Sequence, residues 1–279
     1  MYKRQYAYGG AIKNLGVGLD KITGSFIGNY AKADSTNYFA LGGAIYTSSN
    51  MTFLADNKSI EFTGNYTEDS RGKIPNAIYV DIISTSSPTI TLTAQNNGTI
   101  TFNDQIDGGV ASGGAINRSK QYNLALTGDS TGKININNEI INANITLDAV
   151  TLHLGQENLL EQSKSLTINS GTVNTINNAV NPITIPSITL NGNFNYALDV
   201  NLASESADSL QITSTNTPSN IHITEINTIG DIPSGQTASI IPFLTGNYAQ
   251  NITTTLADEL SMIYGQSYAC LLYTSDAAD

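Results

Sequence analysis

The chain has one cysteine, two histidines and no tryptophan among 279 residues, and only 13% of its residues are charged. One cysteine leaves no Cys-x-x-Cys pair. The histidines, His153 and His222, make no His-Glu-x-x-His, and neither a P-loop nor a Gly-x-Ser-x-Gly elbow is present. His153 follows Leu152 in an alternating run and His222 sits between Ile221 and Ile223, so both read as structural or solvent-facing. Positive charge is scarce as well. Twelve Lys and Arg stand against 23 Asp and Glu, for a net charge of −11. That excludes a basic surface for nucleic acid and docking on anionic lipid. The acidity reads as a device for solubility, and no Asp/Gly-rich calcium repeat accompanies it. No apolar run approaches the roughly 20 residues of a membrane-spanning helix. No cofactor, metal or catalytic set is expected.

What the chain does have is repetition. Gly-Gly-Ala-Ile occurs at Gly9–Ile12, Gly42–Ile45 and Gly113–Ile116. The first two copies lie 33 apart (42 − 9), and Pro75-Asn-Ala-Ile78 reads as a degenerate copy another 33 on. Longer units repeat with them. Leu92 to Ile106 aligns on Leu126 to Ile140 at an offset of 34 (126 − 92), matching Leu92/Leu126, Gly98/Gly132, Ile100/Ile134, Asn103/Asn137 and Ile106/Ile140. Earlier versions are Phe53 to Asn65 and Lys21 to Asn29. Self-similarity at this period marks a solenoid or an array, whose work is done along a surface more often than in one deep pocket.

Within each unit apolar residues alternate with period two: Ile60/Phe62, Ile90/Leu92, Ile100/Phe102 and Ile134/Ile136. That is the spacing of strands with one buried face, and Gly, Asn, Asp and Ser separate them. The expected fold is all-β: a right-handed parallel β-helix, or β-solenoid, with an irregular C-terminal part. Stacked coils would place like residues about 4.8 Å apart, piling Ile, Leu, Val and Phe into apolar columns. Asn29, Asn65, Asn103 and Asn137 are expected to stack at corners, amide upon amide. Gly9, Gly10, Gly42, Gly43, Gly113 and Gly114 are expected to make tight corners. These ten are the structural repeat residues.

The repeat region is placed at 6–139. From 140 to 269 Gly-Gly-Ala-Ile stops but alternation continues, as in Ile145-Thr-Leu147 and Tyr196-Ala-Leu198-Asp-Val200. Gln156–Ser163 is the one plausible helical turn there, with a short helix possible around Leu256–Ile263. The ends, 1–5 and 270–279, resemble translations of the two orientations of a transposase mosaic end used in sequencing-library preparation. The expectation is that both are adapter-derived, Cys270 included, and that the chain is an internal piece of a longer reading frame.

Clustered acids can serve polysaccharide chemistry on a β-helix. Asp104 and Asp107, with Arg118 later in the unit, form one such pair, and Asp199 and Asp208 another. Asp104 aligns with Asn65 and Asn138, an ordinary corner position, so a turn-forming role is expected. Tyr79, Tyr196 and Tyr248 are either packed or available to sugars and proteins.

The Gly-Gly-Ala-Ile copies, with Phe26-Ile-Gly-Asn29 and Phe62-Thr-Gly-Asn65, resemble the GGAI/FxxN repeats of polymorphic outer-membrane proteins and related bacterial autotransporter passengers. Asn193 to Leu202 and Ala207 to Ile212 resemble passenger segments that precede the translocator barrel. The resemblance implies export, exposure at the bacterial cell surface or outer membrane, and non-enzymatic adhesion or self-association. Its partners would be host or sibling-cell surface molecules, protein or glycan, and a C-terminal translocator barrel missing from this stretch. A carbohydrate-active β-helix (a lyase, glycosidase or phage tailspike) and a passive stalk are the alternatives.

Overall fold

The computed structural model describes residues 7–33, 39–83, 87–112, 115–156, 158–216, 219–230, 238–246, 251–254, 260–264 and 268–274. Among them the regular structure is all strand, mostly parallel, arranged in stacked sheets, with no helix. Apart from the hairpins, strands that follow one another in the chain fall into different sheets. Strands that neighbour one another in a sheet come from successive repeats.

Three parallel sheets carry the repeat region. The first holds Leu19–Ile22, Met51–Asp56, Thr89–Gln95, Tyr122–Gly128, Ala143–Asp148, Ser165–Ile168, Ile188–Leu190 and Ser214–Thr215 in that order. The second runs from Phe26–Ile27 through Ser59–Thr63, Thr99–Phe102, Lys133–Ile136, Thr151–Leu154, Thr172–Asn174 and Phe194–Asn201 to Asn220–Ile229 and Asn251–Thr254. The third is shorter: Ile12–Asn14, Ile45–Thr47, Ile78–Asp81 and Ile106–Ser112, closed by a single bridge from Ile106 to Ile140.

Alternation decides which side chains face inward, and the parallel register then superposes them. Met51, Ile90, Leu124, Ile145, Leu166 and Ile188 pair in sequence, as do Phe53, Leu92, Leu126, Leu147, Ile168 and Leu190. On the second sheet Ile60, Ile100, Ile134, Leu152, Val173 and Tyr196 form another column. All of these side chains are buried, in one continuous core. Phe26, Phe62 and Phe102 stack face on face, with centroids 4.9 and 4.2 Å apart and planes within 9° of parallel. Offset stacking adds to the area these rings bury. The 34-residue alignment holds residue for residue, with Leu92 on Leu126, Ile100 on Ile134 and Ile106 on Ile140.

Two helical expectations are corrected. Gln156 and Asn158–Ser163 form bends and turns, Glu157 lying outside the described residues. Asn158 has φ of 55°, a left-handed conformation that interrupts a helix. Leu260–Tyr264 is a strand, antiparallel to Tyr268–Thr274, which in turn pairs antiparallel with Ala238–Gly246. Residues 255–259 lie outside the described set. In this C-terminal sheet a neighbouring strand supplies the hydrogen bonds that a helix would have supplied internally.

Candidate functional site

The paired glycines have two different jobs. Gly42 has φ of 67°, and a Cβ there would come 2.1 Å from the Ile45 carbonyl oxygen; Gly9 repeats this, with φ of 58° and 2.0 Å to the Ile12 oxygen. Gly10 and Gly43 are needed for close approach instead. A Cβ on Gly10 would lie 2.2 Å from the Gly43 carbonyl oxygen, and one on Gly43 would lie 2.3 Å from that of Asn76. The first glycine turns the chain and the second admits the backbone of the next repeat. Gly113 and Gly114 lie outside the described residues. The rest of that third copy, Ala115–Asn117, pairs antiparallel with Val110–Ser112, and Ile106 stands in the column above Ile12, Ile45 and Ile78.

The four asparagines form two ladders, not one. Asn29 Nδ2 donates to Asn65 Oδ1 at 2.9 Å, and Asn65 Nδ2 donates to Asp104 Oδ2 at 2.7 Å. Asn137 Nδ2 donates to Asn103 Oδ1 at 2.8 Å in a neighbouring column. The segment after Phe102 is one residue shorter than that after Phe62, so Asp104 takes the place above Asn65. Burial raises the Asp104 carboxyl above its usual range, partly offset by the two hydrogen bonds from Asn65. A third ladder, Asn169–Asn191–Asn216 at 3.0 and 2.7 Å, escaped the reading of the sequence. Its signal was there: each of these asparagines directly follows a strand.

Two hairpins in the repeat region depart from the parallel pattern, and a cavity of about 200 Å³ lies between them. The first pairs Tyr66–Asp69 with Gly72–Pro75 and carries Arg71 at its tip. The second pairs Val110–Ser112 with Ala115–Asn117 and leads into Arg118. The floor is the outward face of the third sheet, where Tyr46, Tyr79 and Asp107 are successive register partners. The rings of Tyr46 and Tyr79 are parallel within 9°.

The cavity is densely polar. Arg118 Nη2 donates to Asp107 Oδ2 at 2.8 Å, and Gly108 N donates to Asp107 Oδ1 at 2.7 Å. Burial pushes the Asp107 carboxyl up, and the Arg118 charge partly restrains it. Arg71 grips Asp69 in a fork, Nε to Oδ1 at 3.0 Å and Nη2 to Oδ2 at 2.6 Å, with its guanidinium over the Phe39 ring. Glu139 is held from both sides by Gln105 Nε2 at 2.8 Å and Gln162 Nε2 at 3.1 Å. Tyr46 donates its hydroxyl proton to Asp81. Tyr79 is 1% exposed, lines the cavity, and its Oη has no hydrogen-bond partner. Burial, then the Asp107 charge, pushes the Tyr79 hydroxyl well above its ordinary range, so it stays protonated. A buried unpaired hydroxyl costs about 1–3 kcal/mol.

Asp104 and Asp107 therefore serve different places, one in an asparagine ladder and the other in this cavity. Asp199 and Asp208 tie the chain locally. Asp208 Oδ2 accepts from Asp199 N at 2.9 Å, and Asp199 Oδ2 accepts from Asn177 N at 2.7 Å. Tyr196 is buried in the core and Tyr248 lies outside the described residues. His153 Nε2 lies 3.1 Å from the Ile176 carbonyl oxygen. It faces an open trough of about 450 Å³ on the outward side of the second sheet, with Asn135, Asn137 and Asn174. Neither the trough nor the cavity holds three metal-ligating side chains in position for an ion, and no such group occurs among the described residues. Among those residues no helix is long and apolar enough to cross a membrane. No family model matches the chain, and no curated protein is significantly similar to it.

Proposed function

We propose that the chain is a segment of a bacterial autotransporter passenger: a right-handed parallel β-helix, exported and displayed at the cell surface, that adheres to host or sibling-cell molecules or to its own copies. The observation that carries this reading is the column Ile12, Ile45, Ile78, Ile106 and Ile140, one residue from each successive repeat and each paired in parallel with the next. Parallel neighbours need crossover connections, and here the crossovers are themselves strands of the other sheets. Right-handed winding is the rule for such connections. The net charge of −11 supports a partner other than nucleic acid. A translocator barrel would lie beyond this stretch.

The cavity supports binding better than turnover. Asp107 and Glu139 are each anchored by protein donors on both sides. A second reading, a carbohydrate-active β-helix, draws on the same cavity, because Asp107 combines burial, a raised affinity for its proton and a neighbouring guanidinium. One experiment separates the two. The full chain is placed between an export signal and an outer-membrane barrel and expressed in a laboratory bacterium. The adhesive reading expects surface accessibility to added protease and greater settling or host-cell attachment than barrel-only cells show. Release of reducing sugar from a polysaccharide, abolished by Asp107→Asn, would overturn it in favour of the enzyme. Surface exposure with no attachment would overturn it in favour of a stalk.

A further inference from the structure

We infer that the open trough on the outward face of the second sheet is a binding site for an extended, uncharged polysaccharide chain laid across successive rungs. This names a ligand class for the adhesive reading above and rests on it. The trough, about 450 Å³, is floored by Lys133, Asn135, Asn137, Thr151, His153 and Asn174. A second open space of about 370 Å³ begins at Gly155 and continues past Asn177 and Asn181. Gly155 directly follows the strand Thr151–Leu154 and lies against Asn137, where a Cβ would come 2.2 Å from Asn137 Oδ1. The missing side chain leaves the two spaces continuous.

Elsewhere outward amides bond one another from rung to rung, as in Asn169–Asn191–Asn216. In the trough that pattern breaks. Asn135, His153 and Asn174 are successive register partners, yet each side chain bonds elsewhere. Asn135 Nδ2 donates away from the trough to Thr101 Oγ1 at 3.1 Å, and Asn137 Nδ2 donates to Asn103 Oδ1 at 2.8 Å. His153 turns Nε2 to the Ile176 carbonyl oxygen at 3.1 Å, and Asn174 Oδ1 accepts from Ile176 N at 3.0 Å. A carbonyl oxygen can only accept, so Nε2 carries the proton and Nδ1 of the neutral ring is an acceptor. Among the described residues, Asn135 Oδ1, Asn137 Oδ1, His153 Nδ1 and Asn174 Nδ2 are then left without protein partners, on side chains already held in place. Orientation by a few fixed polar groups in a concave site is how ligands are selected.

The free atoms select the ligand. Three of them are acceptors, and an acceptor needs a ligand that donates. Hydroxyls donate, whereas the oxygens of a carboxylate or a sulfate do not. The net charge of −11 opposes an anionic polymer as well. A cationic polymer would meet Lys133 and, among the described residues, no lining carboxylate. Asn174 Nδ2 and Thr151 Oγ1 supply donors, so hydroxyls are met in both senses. Rungs stand about 4.8 Å apart. An extended sugar chain advances by nearly that length per ring, so like contacts recur from rung to rung. No aromatic side chain floors the trough, so each sugar is held weakly and strength comes from rungs engaged together.

Two variants test the site without touching the core. Gly155→Asn fills the join between the spaces and extends the Asn103–Asn137 ladder by one rung, so the fold is kept. His153→Ala removes one acceptor from the outward face. The purified full chain and both variants are applied to immobilised mannan, xylan, β-glucan and dextran, and to polygalacturonate and heparin. The matching neutral oligosaccharides, from single sugars upward, serve as competitors. The expected result is retention on at least one neutral polymer and on neither acidic one, with competition that strengthens as the oligosaccharide lengthens. His153→Ala should bind about five- to tenfold more weakly, and Gly155→Asn more weakly still, both with unchanged melting temperatures. Retention on the acidic polymers alone, single sugars competing as well as long oligosaccharides, equal retention of all three proteins, or no retention at all would overturn the assignment. Displayed cells that attach equally well with glycine or asparagine at position 155 would overturn the polysaccharide site and leave adhesion standing. Cells that do not attach at all would overturn the adhesive reading itself.

Discussion

The chain before Ile140 and the chain after it use the same stacking with different coil lengths. Ladder partners in the first part are 33, 36 and 34 residues apart, as in Asn14–Thr47, Asn29–Asn65 and Asn103–Asn137. In the second part they are 21, 22 and 25 apart, as in Asn144–Ser165, Asn169–Asn191 and Asn191–Asn216. The difference is the third sheet, which ends at the Ile106–Ile140 bridge. After it, turns such as Asn158–Ser163 close the coil. The two hairpins of the longer coils border a cavity of about 200 Å³, and a further hairpin, Val200–Asn201 with Ser206–Ala207, lies in the shorter coils. Beside the shorter coils, one space next to Thr175 and Asp208 is about 20 Å³, room for one water, and a more open one lined by Gly155, Asn177 and Asn181 is about 370 Å³. The core is common to both parts.

The largest expected effect tests whether the two parts share one core. Phe62 lies between Phe26 and Phe102, and Phe62→Ala should cost about 3–5 kcal/mol. Leu166→Ala in the shorter coils should cost about 2–5 kcal/mol. In a stack bound only by nearest neighbours each loss stays local. Amide exchange should quicken from Phe26 to Phe102 in the first variant and leave Asn220–Ile229 unchanged. Uniform quickening along the chain would mean that the contrast between the parts has no energetic content.

A smaller effect separates the ladders. Asn65 donates to Asp104 and to the Phe26 carbonyl and accepts from Asn29, all in a buried column. Asn65→Ala leaves Asp104 short of partners and should cost about 1–3 kcal/mol in urea unfolding. Asn191→Ala, in the more exposed ladder of the shorter coils, should cost about 0.5–1.5 kcal/mol. Equal costs would remove the distinction.

The smallest effect is in the pH dependence. Burial raises the carboxyls of Asp104 and Asp107 in the first part and of Asp208 in the second. The folded state then binds protons more readily than the unfolded chain. Lowering the pH from neutral toward the ordinary carboxylate range should hold or raise the melting temperature. Asp69 acts oppositely. Burial would raise its carboxyl, but the Arg71 contacts and the backbone donors hold it below its ordinary value, so its contribution is lost as the pH falls through that lowered value. The double variant Asp104→Asn and Asp107→Asn should flatten the rise more than Asp208→Asn does. A melting temperature that falls steadily from pH 7 to 5 would contradict the assignment of these three groups.

Much of this architecture was legible because alternation and repetition are local. Ile100/Phe102 and Ile134/Ile136 announce an inward face, and the 34-residue offset announces which residue lies on which. The third Gly-Gly-Ala-Ile copy misled for the same reason. A tetrapeptide records local conformation, while a place in a column depends on the length of chain between strands, and Ile106 reaches the column first. The cavity was legible only in fragments. Asp107 and Arg118 stood out as an acid near a base, and Gln105 and Glu139 fall in register in the 34-residue alignment. Tyr79 stood out only as a tyrosine either packed or available to sugars and proteins, and Arg71 did not stand out, because they meet Asp107 and Arg118 through a hairpin and a sheet register that composition does not encode.

The central claim is that successive repeats lie side by side in strand order, and distances between outward-facing positions test it most directly. Thr52, Thr91, Ala125, Thr146, Thr167 and Thr189 are successive register partners on the first sheet. With Cys270 replaced by serine, spin labels are placed on cysteines at Thr52 and, in turn, at Thr146, Thr167 and Thr189. Each added strand should lengthen the separation by about 4.8 Å, whatever the number of residues between the labels. Separations that follow distance along the chain, or that place Thr189 nearer to Thr52 than Thr146 is, would contradict it.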